Sequence, residues 1–275
     1  METIVIAEIG ENHYGRWDVC RGMVEEVVTN GASYAKFQTY TAEQFGADHV
    51  WYEEFKKVVM PEQMHFEMQA LCKERGVGFL SSTFTQRSTA FLVDRMGCDE
   101  LKLASSRVTD GVLLDYVNSR ADQVRRVYLS TGMSTLEEVR EAVARLGRIE
   151  ELYLLHCTSQ YPTEDENVNL RAMVTLMESF PGYPIGYSDH SRGIEACLAA
   201  VALGAQVLEK HFTYHVRMPG DDHEGALTPE TLQDLVQGIE RIESMLGSGD
   251  KKPVPAEEKA MAALRVEMRE VGFDA

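Results

Sequence analysis

Lys36 in the segment AKFQ and Lys102 in LKLAS lie within short apolar runs, and lysine is almost never fully buried without a partner. Two such lysines favour an anionic ligand over structural pairing, and a Schiff-base nucleophile is the other chemistry open to them. Ser82, Ser105, Ser130 and Ser188 fall at the ends of similar runs, and four hydroxyl donors beside Lys102 make a phosphate cradle. His190 in SDHS and His211 in EKHF end two consecutive runs, with Asp189, Glu209 and Asp222 nearby. Such a pair can hold a divalent ion without a helical HxxxH motif. Two imidazoles with open positions suit Mn2+, or Mg2+ or Co2+ in its place, better than a closed zinc site. Glu8 and Glu209 are acids on apolar runs, so each must be compensated by a cation, a metal or a sugar hydroxyl. His13 in EIGENHYG is a further candidate, whereas Glu137, Glu138 and Glu141 belong to a solvated helix face. Trp51 and Tyr52 are expected to pack their loop onto the body rather than close over a substrate.

These residues need a scaffold that gathers them. Short apolar, β-branched runs recur at 4–10, 33–38, 77–82, 100–105, 126–131, 152–157, 184–189 and 207–212, which predicts eight strands. Helix-like stretches lie between and after them at 17–29, 62–75, 86–96, 135–147, 168–179, 192–204 and 228–246. That alternation predicts an α/β protein, a single (β/α)8 TIM barrel, in which all strand C-termini meet at one mouth. A doubly wound open sheet would normally carry a Gly-rich phosphate loop after its first strand, and EIGENHYG is not GxGxxG. Strand alternation puts Glu209 and His211 on one face and Lys210 on the other, which excludes Lys210 from the site. The two longest loops, 39–62 and 213–230, are expected to rim the mouth. The barrel is expected over residues 1–247, with 248–275 a linker-like tail carrying a short helix.

Composition narrows the partners. The 275 residues hold 27 Lys and Arg against 44 Asp and Glu, a formal net charge of −17, which opposes both nucleic acid and an anionic membrane surface. Cys20, Cys72, Cys98, Cys157 and Cys197 are scattered without a CxxC pair. With no signal-peptide core and no long apolar run, a cytoplasmic enzyme is expected.

The segments AEIGENHYG, AKFQ, FLSSTF, LKLAS, LSTGMSTLEE, LLHCTSQYPT, GYSDHS, EKHF and MPGDDHEGALTPETL resemble, in order, the sialic acid synthase (N-acetylneuraminate synthase) family. The resemblance spans Ile4 to about Arg265. It implies a metal-dependent condensation of phosphoenolpyruvate with an N-acylated amino-sugar aldehyde, releasing phosphate by C–O cleavage, in an enzyme that tends to be a homodimer. The matching positions are Lys36 for the phosphoenolpyruvate carboxylate, Ser82, Lys102, Ser105 and Ser188 for its phosphate, and His190 and His211 for the metal. Gln38, Tyr161, Glu209 and Asp222 match sugar-contacting positions, and Glu8 matches a proton-transfer residue. Three departures stand out. Arg107 replaces an acid that holds the amino sugar, Ser159 replaces an asparagine at a phosphate contact, and the chain ends where a C-terminal antifreeze-like domain would begin. Arg107 can pair bidentately with a carboxylate or phosphate, so an anionic acceptor is one expectation beside a neutral N-acylmannosamine-like one. A Schiff-base aldolase and a catalytically silent sugar-binding or regulatory barrel are the alternatives.

Overall fold

The computed structural model describes residues 3–220 and 222–266. Eight parallel strands close into a barrel in chain order: β1 Ile4–Gly10, β2 Tyr34–Thr39, β3 Gly78–Thr83, β4 Glu100–Leu103, β5 Arg126–Ser130, β6 Glu151–Cys157, β7 Ile185–Asp189 and β8 Val207–His211. The chain is thus a (β/α)8 barrel, and its strands coincide with the apolar runs to within a residue or two. The clearest exception is β4, which ends at Leu103, so that Ser105 opens a 3-10 turn, Ser105–Arg107.

The helices follow from local sequence. α1 (Trp17–Thr29) buries Cys20, Met23, Val24 and Val27, a single stripe at helical spacing. After it come α2 (Tyr52–Val58), inside the long loop that follows β2, and α3 (Glu62–Arg75). The expected helix 86–96 is α4 (Gln86–Ala90) running on into a π-helical turn, Phe91–Arg95. α5 (Gly111–Ser119) is absent from the periodic reading because it is short, yet Asp110 caps it by accepting from Leu113 N, and it buries Leu113, Leu114 and Val117. α6 (Leu136–Arg145) starts with a Thr135/Glu138 capping box. The predicted 168–179 helix divides at Asn169, in the left-handed conformation, into α7 (Asp165–Val168) and α8 (Arg171–Ser179). Gly193, at φ +72, delays the start of α9 (Glu195–Ala202). α10 (Pro229–Leu246) has a Thr228 cap and proline in its first turn. α11 (Glu258–Leu264) is the short helix expected in the tail, whose residues after 266 lie outside the described residues. No helix among the described residues is long and apolar enough to cross a membrane, and all five cysteines are free and buried.

The apolar core has two parts. A large one lies between strands and helices; a small one, of Ile6, Leu80, Tyr128, Leu155 and Val207, fills the barrel itself. That inner layer separates the strand starts from the strand ends. Above it the register sets Glu8 beside both Lys36 and His211, Ser82 beside both Gln38 and Lys102, and Ser188 beside Glu209.

Candidate active site

The strand ends surround a cavity of about 410 Å³. Deep in it lie Glu8, Lys36, Lys102 and Glu209, all buried, with Gln38 on the β2 side. The serines 82, 105, 130, 159 and 188 and the histidines 190 and 211 also line it, as does Tyr161. Asp222 borders a small adjoining pit with Tyr161, His190 and His211. Arg107 is not among the lining residues: its guanidinium lies 3.3 Å from Asp110 Oδ2, and its Nε donates to Ser106 Oγ. The 3-10 turn after β4 makes that local pairing possible.

These four form a compact electrostatic unit. Lys36 Nζ donates to Glu8 Oε2 and lies 3.6 Å from Glu209 Oε2. Gln38 Nε2 donates to the other oxygen of Glu8 at 3.2 Å. Burial alone would lower the pKa of Lys36, but Glu209 and Glu8 outweigh it and raise the value. Lys102 differs. Its Nζ donates to Ser130 Oγ at 2.7 Å and to the Leu103 carbonyl at 3.1 Å, while Glu209 Oε1 stands at 3.5 Å. Burial, with repulsion from Lys36 added, lowers its pKa despite Glu209. Burial works against the Glu209 carboxylate too, but Lys102 and Lys36 hold its pKa down to about 2. Ser188 Oγ donates to Glu209 Oε1 at 3.1 Å. Two buried side-chain polar atoms among the described residues lack a hydrogen-bond partner, Glu209 Oε2 and His211 Nδ1, and both belong to this site.

The two histidines differ in their protonation. His190 Nδ1 is 2.8 Å from the Thr158 carbonyl, which can only accept, so Nδ1 carries a proton; burial would lower the pKa of this ring, but Cys157 and that carbonyl outweigh it and raise the value, and Nε2 offers a lone pair when the ring is neutral. Burial, reinforced by His190 and Lys36, takes the His211 pKa down to about 3, so its ring is neutral. The two rings lie 5.5 Å apart, and Tyr161 packs 4.0 Å from that of His190. Asp222 Oδ2 is 3.6 Å from His211 Nδ1. Among the described residues no group of three or more His, Cys, Asp or Glu is arranged to hold a metal. His211 Nδ1, buried without a hydrogen-bond partner, is an open donor beside His190 and Asp222, and so small a donor set would leave most positions on an ion to water and substrate oxygens.

Several lining residues escape sequence reasoning. Cys157 lies 3.7 Å from His190 Nδ1; burial would raise its pKa, but the His190 charge outweighs that and lowers it. Strand alternation could have found it, since it ends β6 in register with Ser188. Met133 lines the cavity from the loop after β5, and Trp51 from the loop before α2, so Trp51 does more than pack its loop. Gly132 N donates to Ser105 Oγ at 3.0 Å, and a Cβ on Gly132 would come within 2.6 Å of Ser159 Oγ and 2.8 Å of Ser105 Oγ. Only glycine lets those hydroxyls crowd the backbone there. His13, its Nδ1 accepting from Gly15 N at 2.9 Å, is buried outside the cavity wall. Lys210 faces out of the barrel, where its Nζ is 2.5 Å from Asp189 Oδ2.

Comparison with known proteins points the same way as the geometry. Residues 23–251 match the NeuB family. The N,N'-diacetyllegionaminic acid synthase of Legionella pneumophila is 36% identical over 286 residues, spanning 96% of this chain and 79% of that protein. The N-acetylneuraminate-9-phosphate synthase of Homo sapiens is 33% identical over 270 residues, spanning 92% and 74%. Among solved structures, the N-acetylneuraminic acid (sialic acid) synthetase of Leptospira borgpetersenii, crystallised with citrate, aligns with a TM-score of 0.88 at 31% identity, covering 97% of this chain and 94% of that one.

Proposed function

The chain belongs to the NeuB family of phosphoenolpyruvate-dependent, sialic-acid-like synthases, and from that premise we propose that Lys36 and Lys102 hold the anionic ends of phosphoenolpyruvate while an aldehyde sugar enters from the His190 and Asp222 side. The observation that carries this reading is Lys102: a buried ammonium disfavoured by its surroundings, beneath an open cavity and ringed by hydroxyls. An anion is the ligand such a group lacks.

In the proposed reaction, C3 of phosphoenolpyruvate forms a bond to the aldehyde carbon, whose oxygen takes up a proton. Water adds to C2, the bond between C2 and the phosphate ester oxygen breaks, and a 2-keto acid and inorganic phosphate leave. Lys36 fixes the carboxylate. Lys102, with Ser82, Ser105, Ser130, Ser159 and Ser188, holds the phosphate. Glu8, clamped between Lys36 and Gln38, is placed to move a proton at its Oε1 and Oε2. Gln38, Tyr161, Glu209 and Asp222 face the acceptor. The family generally uses a divalent metal, here Mn2+ on His190 and His211; when bound it polarises the aldehyde and lowers the pKa of water.

The test is phosphate release from phosphoenolpyruvate with a panel of N-acylated amino-sugar aldehydes and Mn2+, with product masses read by spectrometry. A product heavier than the sugar by the pyruvate unit is expected. No phosphate release from any aldehyde, together with no phosphoenolpyruvate binding, would overturn the reading. One observation favours a second reading, a Schiff-base aldolase: the lowered pKa of Lys102. Borohydride trapping with pyruvate separates the two, because only the aldolase leaves a reduced adduct on a lysine.

A further inference from the structure

Resting on that reading, we infer that Tyr14 and His223 are positioning residues for the acceptor: they latch the loop after β8 to the loop after β1 and thereby hold Asp222 at the mouth. Of the residues assigned to the acceptor, Gln38 and Glu209 stand on strands, whereas Asp222 is carried by the long loop between β8 and α10. Its Oδ2 is 3.6 Å from His211 Nδ1, too far for a hydrogen bond, so the loop sets its place. The base of that loop is closed by backbone, Leu227 N donating to the His211 carbonyl at 2.7 Å and Thr213 N to the Leu227 carbonyl at 2.8 Å. Beyond the base the tie is His223, the residue after Asp222. It is buried, with Nδ1 2.7 Å from Thr213 Oγ1 in its own loop and Nε2 2.7 Å from the Tyr14 hydroxyl in the other. The two rings stack at 5.5 Å, 19° from parallel. Neither residue is among those lining the cavity or the adjoining pit, so the effect of the pair on the acceptor passes through Asp222.

The surrounding backbone is shaped around this pair. Tyr14 has φ +52, a left-handed conformation that a tyrosine rarely adopts, and in that conformation its hydroxyl meets His223. Gly220, at φ +132, passes so near that a Cβ on it would come 3.1 Å from His223 Cδ2 and 3.6 Å from the Tyr14 hydroxyl oxygen. The Tyr14 end of the latch is fixed, because Asn12 Nδ2 donates to the Phe212 carbonyl at 2.9 Å and Glu11 accepts from the Tyr40 hydroxyl. On its other side the loop lies against the end of β7, where a Cβ on Gly225 would be 2.7 Å from the His190 carbonyl oxygen. The loop therefore has no room to settle inwards. Without the latch it swings outwards, and Asp222 goes with it.

The test follows phosphate release by the full chain as the aldehyde is varied at saturating phosphoenolpyruvate, beside phosphoenolpyruvate binding by calorimetry. The probe is the aldehyde of the panel that wild type turns over fastest, with N-acetylmannosamine tried first. Tyr14→Phe keeps the ring and its stacking and removes only the hydroxyl; kcat/KM for the aldehyde is expected to fall about three- to tenfold, the loss of one neutral hydrogen bond. Phosphoenolpyruvate affinity is expected to stay within about twofold of wild type, since Lys36 and Lys102 stand on β2 and β4. His223→Asn, whose amide reaches only as far as Nδ1, is expected to match Tyr14→Phe, and His223→Gln, whose amide extends to the place of Nε2, to recover most of the loss. Tyr14→Phe combined with His223→Asn is expected to cost no more than the worse single change, because both cut the same bond. Wild-type kcat/KM in Tyr14→Phe, additive losses in the double variant, or a fall in phosphoenolpyruvate affinity as large as that for the aldehyde overturns the inference, the last by making the pair a support of the whole barrel. Wild type is run first: if it turns over an aldehyde, any such failure touches the latch alone, and if it turns over none and binds no phosphoenolpyruvate, both readings fall.

Discussion

At the start of the strands two guanidiniums, Arg125 and Arg126, meet three carboxylates, Asp99, Glu100 and Glu151; at their ends two ammoniums, Lys36 and Lys102, meet Glu8 and Glu209. Both clusters pair two cations with acids, and the same inner core separates them. Their geometry is not the same. In the floor cluster Arg125 reaches Glu151 at 2.7 Å, Arg126 reaches it at 2.5 Å, and Tyr34 closes the ring by donating to Glu100 at 2.7 Å. Arg126 also lies over the Tyr153 ring at 5.5 Å. In the mouth cluster the Glu209 contacts stretch to 3.5 and 3.6 Å, and one of its oxygens has no hydrogen-bond partner. Burial opposes the charge on Arg126, yet Glu151, Tyr128 and Glu100 outweigh it and raise its pKa, whereas the pKa of Lys102 is lowered. Arginine forks satisfy the carboxylates and hold the barrel together; lysine point charges leave room for a ligand. Net charge does not separate a structural cluster from a binding one, but unmet hydrogen bonds beneath open space do.

The largest effect that would break this contrast lies at the floor. Arg126→Met leaves Glu100 and Glu151 with Arg125 and removes a charge-assisted contact from each, so stability should fall by about 3 kcal/mol, read as the urea midpoint. Phosphoenolpyruvate affinity of the folded fraction should be unchanged. If that affinity fell as far as the stability, the two clusters would be one unit.

Next in size is His13, which shows that not every polar residue at the mouth end is there to bind. Burial, aided by the charge of His65, lowers its pKa to about 4, against 6.5 for the free side chain. Between those values the unfolded chain takes up a proton that the folded chain refuses, so stability is present above about pH 6.5 and is lost as pH falls towards 4, by about 3 kcal/mol. His13→Gln should flatten that part of the curve, as measured by urea denaturation at pH 4.5 and pH 7. An unaltered slope would show that His13 is not its source.

How much of this was legible in the sequence follows from which contacts are local. The strand ends could be read because apolar runs of period two point alternate residues into a barrel, and parallel strands bring every C-terminus to one mouth. Glu8, Lys36, Lys102 and Glu209 could be placed together on that ground alone. The floor cluster was not legible: Tyr34, Glu100 and Arg126 sit at strand starts 26 to 92 residues apart, and nothing in the chain marks them as partners before the barrel closes. Arg107 is the reverse case, since its partner, Asp110, is three residues away at the cap of α5, a local pairing that a strand pattern does not show. Met133 was hidden in a loop motif whose left-handed backbone no periodicity reveals.

The smallest effect sharpens the contrast from within the mouth. In Gly132→Ala the new methyl group would push against the hydroxyls of Ser105 and Ser159. Weakening one or two neutral hydrogen bonds should lower phosphoenolpyruvate affinity by about three- to tenfold without a comparable loss of stability. Normal affinity would remove the serines from the phosphate cradle.

The central claim rests on Lys102, and an isotherm of phosphoenolpyruvate binding to Lys102→Met beside wild type tests it most directly. The methionine variant relieves a disfavoured ammonium but leaves Glu209 with Lys36 alone, so its urea midpoint should move less than that of Arg126→Met. Its phosphoenolpyruvate dissociation constant should rise roughly ten- to a hundredfold, the loss of a charge-assisted contact. A variant that binds phosphoenolpyruvate as tightly as wild type, or one that unfolds as Arg126→Met does, would make the mouth cluster structural and contradict the account.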